Sequence, residues 1–193
     1  MPPKAKFTEE EIIEAALGIV RTEGIDCLTA RTLGAKLGSS ARPIFTVFTS
    51  MEEVQQAVVE AAKGLYLEYV ERGLAEEPAF KGVGTQYIRF AMEEPKLFHL
   101  LFMKEQEKIP DLAGVLPAID DSYERILASV QGGYGMDREP AQRLYQHLWI
   151  YTHGIATLCA TGMCRFTGQQ IGEMMTEVFV SLLKSMTEGR KDD

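Results

Sequence analysis

Residues Leu28 to Ser50, LTARTLGAKLGSSARPIFTVFTS, decide how this chain is read. Thr29 stands where a side chain can cap a first helix, Ala30 to Leu37, and Leu33 and Leu37 fall four apart on one face of it. Gly38 follows where a helix ends most easily, because glycine adopts positive φ without a Cβ penalty. Ser39 or Ser40 then caps a second helix carrying Ile44, Phe45 and Phe48. With Ser40 as the cap, Pro43 falls in the first turn, where a missing N–H removes no intrahelical bond. Helix, glycine turn and Ser-capped short helix make the pattern of a helix-turn-helix, whose second helix enters the DNA major groove. The charged residues of the stretch are Arg31, Lys36 and Arg42, with no acid among them, in a chain of formal net charge −8. That local basic footprint suits phosphate. The plainer alternative is a basic solvated face on an ordinary helical bundle.

Working outward, 193 residues allow one large domain or two small ones with a substantial core. Apolar residues make up 46% and charged residues 25%, the balance of a water-soluble globular protein. Only the ends, Met1 to Lys6 and Gly189 to Asp193, have the composition of disordered segments. No apolar run approaches the ~18 residues of a membrane span, and PPKAKFTEEE does not read as a secretory signal. Cys27, Cys159 and Cys164 include no Cys-x-x-Cys pair, which argues against a disulfide framework or zinc site and for a reducing cytoplasm.

The pattern predicts helices throughout. Thr8 caps the first, with Glu11 at the capping-box position, and Ile12, Ala15, Ala16, Ile19 and Val20 keep helical spacing to Glu23 before Gly24 closes it. Ser50 caps a long helix, Met51 to about Leu74, that ends at Gly73 and Glu76-Glu77-Pro78. At 1.5 Å per residue it spans ~36 Å, enough for a lever. A helix follows from Phe80 to Glu94, and Pro95 opens a segment, PKLFHLLFMKE, apolar nearly all round and therefore expected at a domain's centre. After a loop at Pro110 to Gly114, a helix is expected over Leu116 to Gln131, then a sharp break at Gly132-Gly133-Tyr134-Gly135. Pro140 opens the next long helix, and Thr167 caps the last, to about Met186. No strand-period segment and no internal repeat occur. The fold class expected is all-α: a three-helix helix-turn-helix domain over residues 1–54, and a helical ligand-binding and dimerisation bundle over residues 55–193.

Residues Phe7 to Val54 resemble the DNA-binding domain of TetR-family transcriptional regulators. The resemblance rests on Gly24 after the first helix, Thr29 opening the second, Ile44-Phe45-x-x-Phe48, and Ser50-Met51-Glu52-Glu53-Val54 opening the fourth. Three departures stand out. Phe45 replaces a usual phosphate-donating tyrosine, Met51 replaces a usual phosphate-binding lysine, and Pro43 stands where a hydroxyl residue is common. Residues Met1 to Val54 carry six Lys/Arg against eight Asp/Glu, so the domain as a whole is not basic. The resemblance implies Thr29, Arg31, Ser40, Ala41, Arg42, Pro43, Phe45 and Thr46 as the DNA-facing set. Trp149-x-x-x-His153-Gly154 further resembles an element in the C-terminal domain of one group of these regulators. By itself, the spacing of Trp149 and His153 equally describes a packed pair on one helix face, with the histidine satisfied by a carbonyl. The family's behaviour implies a homodimer through helices 140–161 and 167–186, with Gly154, Ala156, Ala160 and Gly162 allowing close approach, and two reading heads spaced to match a palindromic operator.

It also implies an effector pocket in the C-terminal domain, and the large, adaptable or polar-tipped candidates are Tyr87, Phe90, Met92, Phe98, His99, Phe102, Met103, Tyr123, Trp149 and His153. Their mostly apolar character suits a small hydrophobic or aromatic effector. No catalytic residue is assigned. His99, His147 and His153 have no metal-ligand spacing, the cysteines lie on no nucleophile motif, and no Gly-rich phosphate loop follows a strand, so neither metal nor cofactor is expected. The reading is a cytoplasmic, ligand-responsive transcriptional regulator, a repressor released from DNA by its effector. The alternative is an all-helical ligand-binding or scaffold protein whose DNA-binding head has degenerated, which Phe45 and Met51 keep open.

Overall fold

A computed structural model describes residues 6–105 and 109–188; most of both terminal segments expected to be disordered lies outside them. Among the described residues every regular element is helical. Side-chain caps set where several helices begin. Thr8 Oγ1 accepts from the Glu11 N–H at 3.2 Å while Glu11 Oε2 accepts from the Thr8 N–H at 2.8 Å, and this reciprocal box opens α1, Glu9–Glu23. Two such bonds satisfy donors that would otherwise be orphaned at a helix start. Thr167 and Gln170 repeat the device for the last helix, α9, Gly168–Glu188. Between them lie α2 (Ala30–Lys36), α3 (Met51–Leu74), α4 (Ala79–Glu93), α5 (Pro95–Phe102), α6 (Val115–Ile119), α7 (Tyr123–Tyr134) and α8 (Arg138–Ala160).

The chain forms two compact units: Met1–Tyr66 with Glu94–Lys104, and Leu67–Glu93 with Glu105–Asp193. In the first, α1 buries Ile12, Ala16, Ile19 and Val20, α2 buries Leu33, and α3 adds Val54, Val58 and Ala62. Helix α5 belongs to this unit. Its Leu97 and Phe98 are fully buried, and Arg21 on α1 pairs with Glu94 just ahead of it. Phe102 lies edge-on to Tyr66 at 4.9 Å. In the second unit α4 packs most extensively on α8 and also on α7. Phe90, Ile88, Ile126, Leu127 and Leu144 are fully buried there, each contributing on the order of 1.5–3 kcal/mol.

Four local expectations are corrected. The segment expected as an α-helix from Ser40 through Phe48 is instead a run of turns around a single 3-10 turn, Ile44–Thr46. Its bonds are mostly of the i→i+3 kind, such as Ile44 N–H to Ala41 O at 3.1 Å and Thr46 N–H to Pro43 O at 3.2 Å. Pro43 stands at the N-cap of that turn, and its ring disfavours the α region for Arg42 just ahead of it, which works against a helix entered from Ser40. The helix expected over Leu116 to Gln131 is two, α6 and α7. The Asp120 side chain accepts from the Ser122 N–H at 2.8 Å, an aspartate turn that competes with helical bonding. Gly132 and Gly133 stay helical, and the break falls at Gly135 alone, which is left-handed at φ 61°. Finally, α5 is not buried all round: Leu100, Leu101 and Phe102 are half-buried, and His99 and Met103 are exposed.

Gly73 on α3 and Gly82 on α4 bring two backbones together. A Cβ on Gly73 would lie 2.6 Å from the Val83 nitrogen and Cα. Gly73→Ala is therefore expected to destabilise the protein by about 1–3 kcal/mol or more through overpacking. A urea titration followed by circular dichroism measures it, with Gly64→Ala on open surface of the same helix as the contrast, expected to stabilise by about 0.5–1 kcal/mol through helix propensity alone.

Candidate nucleic-acid interface and polar core

Thr29 and Thr32 cap α2 reciprocally, at 3.1 and 3.0 Å, and the Thr32 hydroxyl donates onward to Cys27 O at 2.7 Å. At the other end Gly38, at φ 63°, lets the chain reverse. The Ser39 N–H then reaches Gly34 O at 2.9 Å and the Gly38 N–H reaches Ala35 O at 3.0 Å, which together form a Schellman closure. Gly34 completes the turn, because a Cβ there would lie 3.0 Å from Ala41 N and from the Ser40 carbonyl carbon. The backbone of residues 39–41 therefore lies directly against α2.

This turn presents a polar surface over an apolar base. Leu33, Ile44 and Phe48 are buried beneath it, while Thr29, Arg31, Lys36, Ser40, Arg42, Phe45 and Thr46 are exposed. Ala41 and Pro43 are half-buried. Among the described residues no acid pairs with Arg31, Lys36 or Arg42, so no carboxylate competes with a phosphate for them. Phe45 is 45% exposed, a large apolar face left in solvent. The Thr46 hydroxyl donates to Pro43 O at 2.6 Å and keeps its lone pairs free. Lys6 adds a fourth cation, its Nζ donating to Ser39 Oγ at 3.0 Å. The sequence reading had placed Lys6 in a disordered end.

The ten residues expected to line a pocket do not all belong to one compact unit. Phe98, His99, Phe102 and Met103 fall in the first unit, where Phe98 and Phe102 pack at 5.4 Å. The other six fall in the second. Phe90 is core, edge-on to Tyr69 at 5.2 Å, and Met92 is 50% exposed. Three of the remainder come together: Trp149 stacks on His153 at 5.0 Å, and His153 Nδ1 shares a 2.9 Å hydrogen bond with the Tyr87 hydroxyl, so a phenol takes the place of the expected carbonyl. Burial lowers the His153 pKa and keeps the imidazole neutral. Burial likewise holds the Tyr87 phenol well above its usual range, against an opposing hydrogen bond from Trp149.

Tyr123 stacks on Tyr145 at 5.7 Å, and Phe80 meets Tyr145 edge-on at 5.5 Å. The Tyr123 hydroxyl is buried with no hydrogen-bond partner among the described residues. Tyr145 is itself held protonated by burial and by the negative charge of Asp120. The second unit thus carries a neutral aromatic and phenolic core with one buried carboxylate. Asp120 and Tyr145 were not singled out from sequence. Asp120 fell inside the single helix expected over Leu116 to Gln131, and Tyr145 carries no signal in the sequence that sets it apart from a core aromatic. An open groove along α9, lined by Lys81, Gln169, Glu173, Thr176, Glu177 and Val180 with Gly172 and Ser181, includes none of the ten.

Among the described residues the chain is all-helical, with a glycine-closed turn after α2 and an exposed basic face beside it. Residues 80–186 match the family model described as tetracyclin repressor-like, C-terminal domain. A curated relative, an uncharacterized HTH-type transcriptional regulator of Mycobacterium tuberculosis, is 27% identical over 165 residues, covering 82% of this chain and 73% of that protein. The chain belongs to the TetR family of transcriptional regulators. No helix among the described residues is long and apolar enough to cross a membrane.

The neutral His153 carries a sign. Unfolded, a histidine binds a proton below about pH 6.5, whereas the folded protein resists protonation until lower pH. Stability should thus be complete above that pH and decline as pH falls toward the lowered folded value. Unfolding free energies measured by urea between pH 7.5 and 5 should show this decline, and His153→Asn should flatten it. An unchanged slope in the variant would place the pH dependence elsewhere.

Proposed function

We propose that this regulator is a homodimeric, ligand-responsive repressor that binds a palindromic operator and is released by a small hydrophobic or aromatic effector. The observation that carries the DNA reading is the exposed, acid-free set Arg31, Lys36 and Arg42 around a turn fixed by Gly34, with Ser40, Phe45 and Thr46 beside it. The functional division runs between a DNA-reading part, residues 1–54, and an effector and dimer part, residues 55–193, even though the compact units interleave these segments. Helix α3 supplies residues to both units and would carry the effector's influence.

A second copy is supported by the faces of α8 and α9. Of the α9 side chains described only Ile171 is buried, while Met174, Val178 and Leu182 are half-buried and Val180 is 53% exposed. On α8, Ile150 is 50% exposed and Gly154 is open to solvent. Two-fold pairing would cover these residues and set two heads one helical turn of DNA apart or a multiple of it, ~34–36 Å. For the effector, the support is the Tyr87–His153–Trp149 group and the unpartnered Tyr123 hydroxyl. The core's neutrality and its Asp120 carboxylate disfavour an anion.

A degenerate head is the second reading. The 3-10 turn in place of a recognition helix, Phe45 and Met51 support it. Selection of duplexes from a random pool by the purified protein at moderate salt separates the two. A palindrome should be enriched, and Arg42→Ala should weaken binding to it by about 1–3 kcal/mol if the arginine reads a guanine edge. No enrichment from a folded dimer would sink the DNA reading.

A further inference from the structure

The corner between α8 and α9 places two cysteines, five residues apart, on either side of a chain reversal. Helix α8 ends at Ala160, Gly162 takes a left-handed φ of 69°, and the chain folds back over the helix end. The Cys164 N–H bonds Leu158 O at 3.2 Å, and the Gly162 N–H bonds Cys159 O at 3.0 Å. One hydrogen bond thus separates the Leu158–Cys159 peptide plane from the Cys164 nitrogen, which holds the two Cα atoms no more than about 7.5 Å apart, at the edge of the ~7 Å reach of a disulfide, so a small backbone adjustment at the Gly162 turn suffices for closure. Both cysteines are half-exposed and both are free thiols. The Cys164 thiol has only a distant carbonyl contact, to Arg165 O at 3.9 Å.

We propose that Cys159 and Cys164 form an oxidisable dithiol, closed to an intramolecular disulfide by hydrogen peroxide. Cys164 lies outside the helix and attacks first. Its thiolate bonds to one peroxide oxygen, the O–O bond breaks, and hydroxide leaves. The sulfenic acid formed is then attacked at sulfur by the Cys159 thiolate, the S–O bond breaks, and a second hydroxide leaves. The two protons given up by the thiols convert both to water, and the pair has passed two electrons to the peroxide. This order agrees with the raised pKa of Cys159, which burial and the nearby Cys164 disfavour as a thiolate. Closure would pin the α8–α9 corner, on the helices we assign to the dimer. The chemistry itself does not depend on that assignment.

Full-length protein treated with hydrogen peroxide, alkylated and digested with trypsin tests this. Residues 144–165 carry both cysteines in one tryptic peptide, and Cys27 falls in another. The expected product is that peptide unalkylated and lighter by two hydrogens, restored to double alkylation by prior reduction. Cys159→Ser and Cys164→Ser should each abolish the closed form. Full alkylation of both thiols after peroxide, over-oxidation without closure, or linkage between chains on a non-reducing gel would each overturn the proposal.

Discussion

The absence of a side chain at Gly34 is the constraint on which the exposed basic surface around Arg31 and Arg42 depends. Its bare Cα lets the backbone of residues 39–41 lie against α2, and the Ser39 bond to Gly34 O fixes the reversal there. Everything exposed beyond the turn inherits its position from that contact. Arg42 and Thr46 are presented on one side, while Ile44 and Phe48 are drawn beneath as an apolar anchor. The polar groups add little to the turn's stability. Buried apolar area at Leu33, Ile44 and Phe48 holds it, and among the described residues no acid pairs with Arg31, Lys36 or Arg42.

The second unit follows a different logic. Its helices meet where side chains are smallest, at Gly73 and Gly82, and around a core rich in tyrosine. Burying several phenols is tolerated because burial keeps them neutral and hydrogen bonds take up hydroxyls such as Tyr69 on Glu93 and Tyr87 on His153. The Tyr123 hydroxyl is the exception, buried without a hydrogen-bond partner among the described residues.

Much of this was readable in the sequence, wherever one residue controls a local event. Thr8, Thr29, Ser50 and Thr167 mark helix starts, Gly24 and Gly38 mark ends, and α3 runs over the residues its periodicity indicates. Readings failed where two local preferences competed. Pro43 was compatible with the first turn of a helix, and the chain chose a 3-10 turn. Asp120 could have sat on a helix face but bonds Ser122 instead, and Gly132 and Gly133 were carried along by the helix around them. The site was less readable for the same reason. The exposure of Arg31, Arg42 and Phe45 agrees with the set the family resemblance implies, whereas the close approach at Gly34, the turn at Asp120 and the distant neighbours of Lys6 and Tyr145 are not revealed by spacing.

The central claim is that two copies of this chain act together on one duplex. Sedimentation velocity of the protein with a duplex recovered by selection, at fixed moderate salt, measures it most directly. The account predicts two chains per duplex, with a complex that weakens as salt rises because phosphate contacts release counterions. A complex with one chain per duplex, or free protein and free DNA sedimenting separately even at low salt, would contradict it.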